Sequence, residues 1–255
     1  SGVVNLFFIV VSALTLMPFL LVVSVSFSSE KSIEKNGYQF LPEQFSLQAY
    51  KYVFDIPEVV FRAYGVTIVV TIVGTLLSLL ITSMLAYTIS RGDYKLRSAT
   101  SFYVFFTMLF GGGLIPWYIL ITQYLHLKDT IWALIVPGLF SAWNALVLKG
   151  FLSKIPMEII ESAKIDGAGE WRIFFRIIIP LSTPALATMG LLISFNYWNE
   201  WFNALLFIDN QHLVPLQLLL VRMMNSIEII SANLSKFGLP NLDISQFPTM
   251  SVRMA

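Results

Sequence analysis

The residues able to do chemistry gather in two stretches. One reads I-S-F-N-Y-W-N-E-W-F-N-A-L-L-F from Ile193 to Phe207. Asn196, Asn199, Glu200 and Asn203 are polar groups in an otherwise apolar run. A charge at mid-bilayer costs roughly 2.5–3.5 kcal/mol on insertion scales, so such groups face a cavity or a partner helix. Helical spacing puts Asn196, Asn199 or Glu200, and Asn203 on one face, flanked by Tyr197, Trp198 and Trp201. Flat rings beside amides and a carboxylate suit a sugar, which offers apolar ring faces and hydroxyl edges. Asn196, Trp198, Asn199, Glu200 and Asn203 are therefore candidates for the wall of a solute path. The competing reading is hydrogen bonding between helices, or Glu200 at the outer interface within an aromatic belt.

The other stretch, Phe151 to Pro180, reads F-L-S-K-I-P-M-E-I-I-E-S-A-K-I-D-G-A-G-E-W-R-I-F-F-R-I-I-I-P. Pro156 suits a first helical position, where its missing N–H costs nothing. Glu158 and Glu161 then lie early in a helix, where the dipole favours anions. Lys154 with Glu158, and Glu161 with Lys164, are spaced to pair. Gly167 and Gly169 end the helix and permit a sharp turn. A second helix runs from about Glu170 to Pro180, with Trp171, Phe174, Phe175 and the basic pair Arg172 and Arg176. Two short helices with a glycine corner make a rigid knob. Spacing alone leaves open a hairpin resting on lipid headgroups, its arginines snorkelling.

Composition removes other chemistries. There is no cysteine, hence no disulfide, iron–sulfur cluster or cysteine-ligated zinc. His126 and His212 are far apart, which argues against a metal centre or proton relay. His126, beside Lys128 and Asp129, reads as a solvated loop residue. A net charge of +1 gives no field for nucleic acid. No G-x-x-x-x-G-K-[ST] run is present to cradle nucleotide phosphates. An intramembrane enzyme needs a paired catalytic constellation, and none shows. An ion-driven secondary transporter of a small polar solute needs intramembrane carboxylates or an inverted repeat. Glu200 alone qualifies, and no repeat shows.

The elements that carry these residues follow from hydropathy. Of the 255 residues, 56% are apolar and only 12% charged, against about 25% charged in soluble domains. Mean hydropathy is +0.75. The chain is therefore read as an all-α integral membrane protein, since the apolar runs are too continuous for barrel strands. Five complete spans are expected, at about Leu6–Phe27, Tyr64–Ser90, Ser98–Leu120, Thr130–Leu148 and Pro184–Phe207. The first has a competing reading as a signal peptide, with Val23-Ser24-Val25 near a cleavage site. Gly111, Gly112 and Gly113, with Pro116, weaken or break the third span, as a hinge or gate or as an ordinary loop start near the outer surface. Pro18 and Pro137-Gly138 read as kinks. Gly74, Ser78, Thr82, Ala86 and Ser90 recur every four residues, a stripe for close helix packing.

Positive charge sets the orientation. Arg91–Arg97 and Lys149–Arg176 lie on the same side and hold eight of the sixteen Lys and Arg. That side is expected to be cytoplasmic, with the N-terminus inside and loops 28–62 and 208–252 outside. The run Leu216–Leu220 is too short to span and reads as a helix lying against the membrane or a partner. The chain starts at Ser1 without methionine. Its last residues, Ser251 to Ala255, are read as the opening of a sixth span beyond the end. Arg222, Lys236 and Arg253 are too scattered to make a site for an acidic sugar.

The knob resembles the EAA motif of the transmembrane subunits of binding-protein-dependent ABC importers. That pattern is Glu-Ala-Ala, three residues, Gly, nine residues, Ile, one residue, Leu-Pro. Here it stands as Glu161-Ser162-Ala163, Gly167, Ile177 and Ile179-Pro180. Ser162 replaces an alanine and Ile179 the leucine. Ile155-Pro156 and Ile165-Asp166-Gly167-Ala168 extend the match. Phe110 to Pro116, Ile131 to Gly138 and Asn199-Glu200-Trp201 are similar to maltose-type permeases. Within those, they are most similar to a subgroup for polysaccharide fragments such as pectin-derived and alginate oligosaccharides.

The resemblance implies a type I ABC importer transmembrane fold of six helices, one of them missing here, as a single domain over residues 1–255. It implies a permease subunit in the bacterial cytoplasmic (inner) membrane, forming half of a channel for an oligosaccharide. The partners implied are a second homologous permease, two ATPase subunits and an extracytoplasmic solute-binding protein. ATP and Mg would sit on the ATPase, so no cofactor or metal is expected on this chain, which is itself no enzyme. Glu161, Ser162, Ala163, Asp166, Gly167 and Ala168 would form the joint to the ATPase. Gly167 would set its turn, Ala163 and Ala168 would allow close approach, and Glu161 and Asp166 would cap or pair. Loop 208–252 matches in position a loop that, in maltose-type permeases, reaches into the binding protein.

Overall fold

The structure is a computed structural model, and it describes residues 2–29, 32–33, 36–48, 50–51 and 57–236, the side chains of 227–236 excepted. The expected sixth span, Lys236 as a side chain and Arg253 lie outside the described residues. By internal contacts the chain divides into two units, Ser1–Phe61 and Arg62–Ala255.

The first unit is built on α1 (Gly2–Ser26). Its 25 residues carry no charge, and at 1.5 Å per residue they reach about 37 Å, enough to cross a bilayer. Pro18 sits inside without ending the helix. The following segment folds back on the helix end. Ser24 Oγ donates to the Gln39 carbonyl (2.9 Å), and Ser28 bridges Phe45 in antiparallel fashion. The Phe27 ring stacks on Phe45 and on Tyr50, each at 5.4 Å.

The second unit holds most of α2 (Pro57–Ser90), a 34-residue helix. Gly74, Ser78, Thr82 and Ala86 are buried along it, as the small-residue stripe predicts; Ala63 and Thr67 extend the stripe, while Ser90 is half-buried. Next come α3 (Arg97–Leu109) and α4 (Leu114–Tyr124), bent from one another by 110°. The break falls on the expected glycines. Phe110 turns to extended backbone and Gly113 takes φ +86, a conformation side chains oppose. A left-handed turn with His126 (φ 50) and Asp129 (φ 57) leads to α5 (Trp132–Gly138) and α6 (Ala142–Leu152), bent by 51° just after Pro137-Gly138. The knob is α7 (Met157–Ile165) and α8 (Glu170–Leu181). An 83° bend at Ser182 leads into α9 (Thr183–Trp198). Then follow α10 (Phe202–Phe207) and α11 (Leu216–Lys236).

Two expectations need correcting. The fifth span is not one helix over Pro184–Phe207. It stops at Trp198, breaks over 199–201 and resumes as the short α10. The run 216–220 is the first part of a 21-residue helix, whose Leu216, Leu218 and Leu219 are buried. By length and composition α1 and α2 can each cross a membrane. Counting the bent pairs α3–α4, α5–α6 and α8–α9 as one span each gives five.

Two sets of loops mark the ends of the second unit. Arg91 and Asp93 meet Lys164 and Glu170. Lys128 pairs with Asp209 at 2.7 Å, and Asp129 Oδ1 accepts from the Asp209 and Asn210 amides at 2.6 and 2.8 Å. The loops thus meet pairwise, as alternate spans require.

Candidate functional site: the knob and the inter-helix cavity

The knob is held by apolar contact. Ile160 and Ala163 of α7 and Ile173, Phe174 and Ile178 of α8 share a core with Ala86 and Tyr87 of α2, Leu148 and Leu152 of α6, and Leu186 and Met189 of α9. Its corner is a Schellman closure. Ala168 N–H donates to Ala163 O (2.9 Å) and Gly167 N–H to Lys164 O (3.0 Å), satisfying carbonyls that the helix end would orphan. Gly167 has φ +79, which fits only a residue without Cβ at low cost. Gly167 therefore sets the turn as the sequence anticipates.

The six candidate coupling residues divide by face. Ala163 is buried in the chain's own core and Ala168 packs against it, so their small size serves the knob's seating. Glu161, Ser162 and Asp166 are exposed. Between them Ile165 is 86% exposed, a large apolar side chain presented at the tip. Trp171 and Phe175, stacked with centroids 6.0 Å apart, are exposed on α8.

The charge pairs differ from those the helical spacing suggests. Lys154 sits 5.6 Å over the Phe151 ring rather than on Glu158. Lys164 reaches away from Glu161 to Asp93 (3.0 Å) and Glu170 (3.3 Å). Arg91 binds both Asp93 and Glu170. The Arg91 guanidinium, followed by Lys164, holds the Asp93 carboxyl well below the usual carboxylate range despite some burial. Burial pushes Glu170 up, but Arg91 and Lys164 outweigh it and its net shift is downward. Asp93 and Glu170 were not legible as site residues. They lie 77 positions apart, and no local period joins them.

The other candidate stretch borders a cavity of about 420 Å³ between α5–α6 and α9–α10. Asn196, Glu200 and Asn203 line it, with Gly138, Ser141 and Asn144 opposite. Asn199 and Trp198 do not. The break after Trp198 turns Asn199 aside, where its amide donates to Phe195 O (2.8 Å) and accepts from Gln217 (3.3 Å). Glu200 Oε1 accepts the Asn203 N–H at 2.8 Å, which caps the start of α10. Tyr197, expected only as a flanking ring, is a wedge. Its ring lies where a Cβ on Gly74 or on Gly138 would stand (2.6 and 2.9 Å), and its hydroxyl donates to Ile135 O at 2.9 Å. Gly111, Gly112 and Gly113 are exposed and border neither region.

Comparison with known proteins meets this geometry. Residues 95–231 match the family described as the binding-protein-dependent transport system inner membrane component. The chain belongs to this family. It is 41% identical over 210 residues to protein LplC of Bacillus subtilis (strain 168), covering 82% of this chain and 70% of that one. It is 35% identical over 249 residues to the polygalacturonan/rhamnogalacturonan transport system permease protein YtcP of the same organism, covering 98% and 85%. The crystal structure of a bacterial ABC transporter involved in the import of the acidic polysaccharide alginate contains a chain that superposes with a TM-score of 0.81. That chain shares 28% identity and covers 99% of this chain and 90% of its own length. The fold is thus that of a type I ABC permease, as the EAA resemblance implies.

Proposed function

We propose that this permease is half of the membrane channel of an ATP-driven importer for an oligosaccharide. A solute-binding protein delivers the sugar outside, and two ATPase subunits grip the knob inside. A second, homologous permease completes the path. The N-terminus and the knob are cytoplasmic, following the density of Lys and Arg on that side. The sugar class is supported by relatives whose names specify polygalacturonan or rhamnogalacturonan and alginate. The joint comprises Glu161, Ser162, Asp166 and the exposed Ile165, carried on the corner set by Gly167 and seated by Ala163 and Ala168.

The observation that carries this reading is the knob itself. It is a capped corner with its apolar side sunk in the helices and Ile165 bare at the tip. A hairpin resting on lipid would turn its apolar side toward the headgroups instead of sinking it among the helices. In use, ATP binding draws the two ATPases together, the knobs follow, and the helices open outward to take up sugar. The cavity beside Glu200 then lines the path, with Asn196 and Asn203 offering amides to hydroxyls.

Copurification in mild detergent tests the assignment. The expected partner carries a G-x-x-x-x-G-K-[ST] run and hydrolyses ATP in the complex. Uptake by vesicles is then measured with neutral and uronic oligosaccharides side by side. Uptake that follows a proton or sodium gradient and ignores ATP would instead mean an ion-driven secondary transporter.

A further inference from the structure

A cluster of four charged side chains sits where α2 meets the knob. Arg91 follows α2 directly, and its side chain is only 11% exposed. It binds Asp93 of its own loop and Glu170 at the start of α8. Lys164, in the last turn of α7, reaches the same two carboxylates at 3.0 and 3.3 Å. Two cations and two anions therefore form a closed, charge-balanced ring. Its members come from three places: the end of α2, the end of α7 and the start of α8. Beneath it the Arg91 guanidinium lies 5.5 Å over the Tyr87 ring, which packs on Phe174.

We propose that Arg91, Asp93, Lys164 and Glu170 are a latch that makes the knob and α2 move as one body. These are positioning residues for coupling, and the proposal rests on the reading of the knob as the ATPase joint. Apolar contact is non-directional, so the core beneath the knob resists separation far better than it resists rocking. The knob's corner carries the small residues Ala163, Gly167, Ala168 and Gly169, whose short side chains do little to brace the angle between α7 and α8. The ring straddles that corner. Lys164 to Glu170 fixes the angle between α7 and α8, while Arg91 and Asp93 tie both to α2. With Lys164, Asp93 and Glu170 partly in solvent the ring adds only modestly to folding stability, and its use is to stop a stroke at the tip from being absorbed at the corner.

The test uses the whole transporter in proteoliposomes. The chain has no cysteine, so Tyr64→Cys places one label site on α2, at the opposite end from the latch. Its reaction rate with a water-soluble maleimide is measured with and without ATP–vanadate trapping. In the Tyr64→Cys background, trapping changes the rate, and adding Lys164→Arg preserves that response. Glu170→Arg keeps ATP hydrolysis but shrinks the response at least about fivefold, the low end of measured couplings between sites. Inverting the whole ring (Arg91→Glu, Asp93→Lys, Lys164→Glu, Glu170→Arg) restores it. An unchanged response in Glu170→Arg, or an inverted ring that fails to restore it, overturns the latch. A Tyr64→Cys transporter that binds no ATPase, or that shows no response to trapping, instead overturns the functional reading beneath it.

Discussion

At the scale of single residues, Gly167 and Glu200 show two ways in which geometry decides a role. Gly167 holds φ +79, and a side chain there costs roughly 1–2 kcal/mol. Gly167→Val is expected to lower the thermal midpoint of the purified complex and to reduce transport per ATP hydrolysed. Glu200 both caps α10 and faces the cavity, and two substitutions separate these jobs. Gln keeps an acceptor for the Asn203 amide, so Glu200→Gln should leave stability within about 0.5 kcal/mol of the parent, whereas Glu200→Ala should lose about 1 kcal/mol. If the carboxylate lines the path, Glu200→Gln also shifts the preference between neutral and uronic sugars in uptake assays. Unchanged uptake of both would leave Glu200 as a cap alone. Tyr197 was hidden for a different reason. Its two glycine neighbours are 123 and 59 positions away in sequence, and nothing local marks them as its seat. Filling that seat with Gly74→Leu should destabilise by about 1–3 kcal/mol, the usual range for overpacking.

At the scale of elements, apolar length reveals where helices run but not where they bend. The third and fourth spans were legible as stretches, and their glycines and Pro137 marked the breaks. The angles of 110° and 51° come from packing that no single stretch encodes. The fifth span misled because Asn199-Glu200-Trp201 reads as an amphipathic turn of one helix. The polar side chains instead satisfy helix ends: Asn199 bonds back to Phe195, and Glu200 caps forward to Asn203. The EAA pattern was legible at the level of its corner, since only glycine fits Gly167. The Lys164 partner was not, because helical spacing offered Glu161 nearby and the structure supplies Asp93 from another loop. The lowered carboxyls of Asp93 and Glu170 have a pH consequence. A depressed folded value contributes stability that is full above the ordinary carboxylate range and is lost as pH falls through the folded value. The latch is therefore intact throughout the neutral range, and protonation undoes it only in acid below the ordinary carboxylate range. Thermal midpoints of the parent and Glu170→Gln should differ by a constant amount across the neutral range and converge in strong acid.

At the scale of the molecule, the loops divide into two groups that the structure joins by contact. Arg91–Asp93 meets the knob, and Lys128–Asp129 meets Asp209–Asn210. Single cysteines at Lys95 and at Asn210 should react from opposite faces of intact cells, Asn210→Cys with an impermeant maleimide and Lys95→Cys only after permeabilisation. Labelling of both from outside would refute the proposed orientation. In the proposed importer a partner ATPase grips the tip of the knob at Ile165. The most direct measurement is copurification of the ATPase subunits with the parent and with Ile165→Asp, an exposed substitution that leaves the core untouched. Ile165→Asp is expected to reach the membrane at the parent's level and to lose the ATPase. Full retention of the ATPase, with undiminished ATP hydrolysis by the complex, would contradict it.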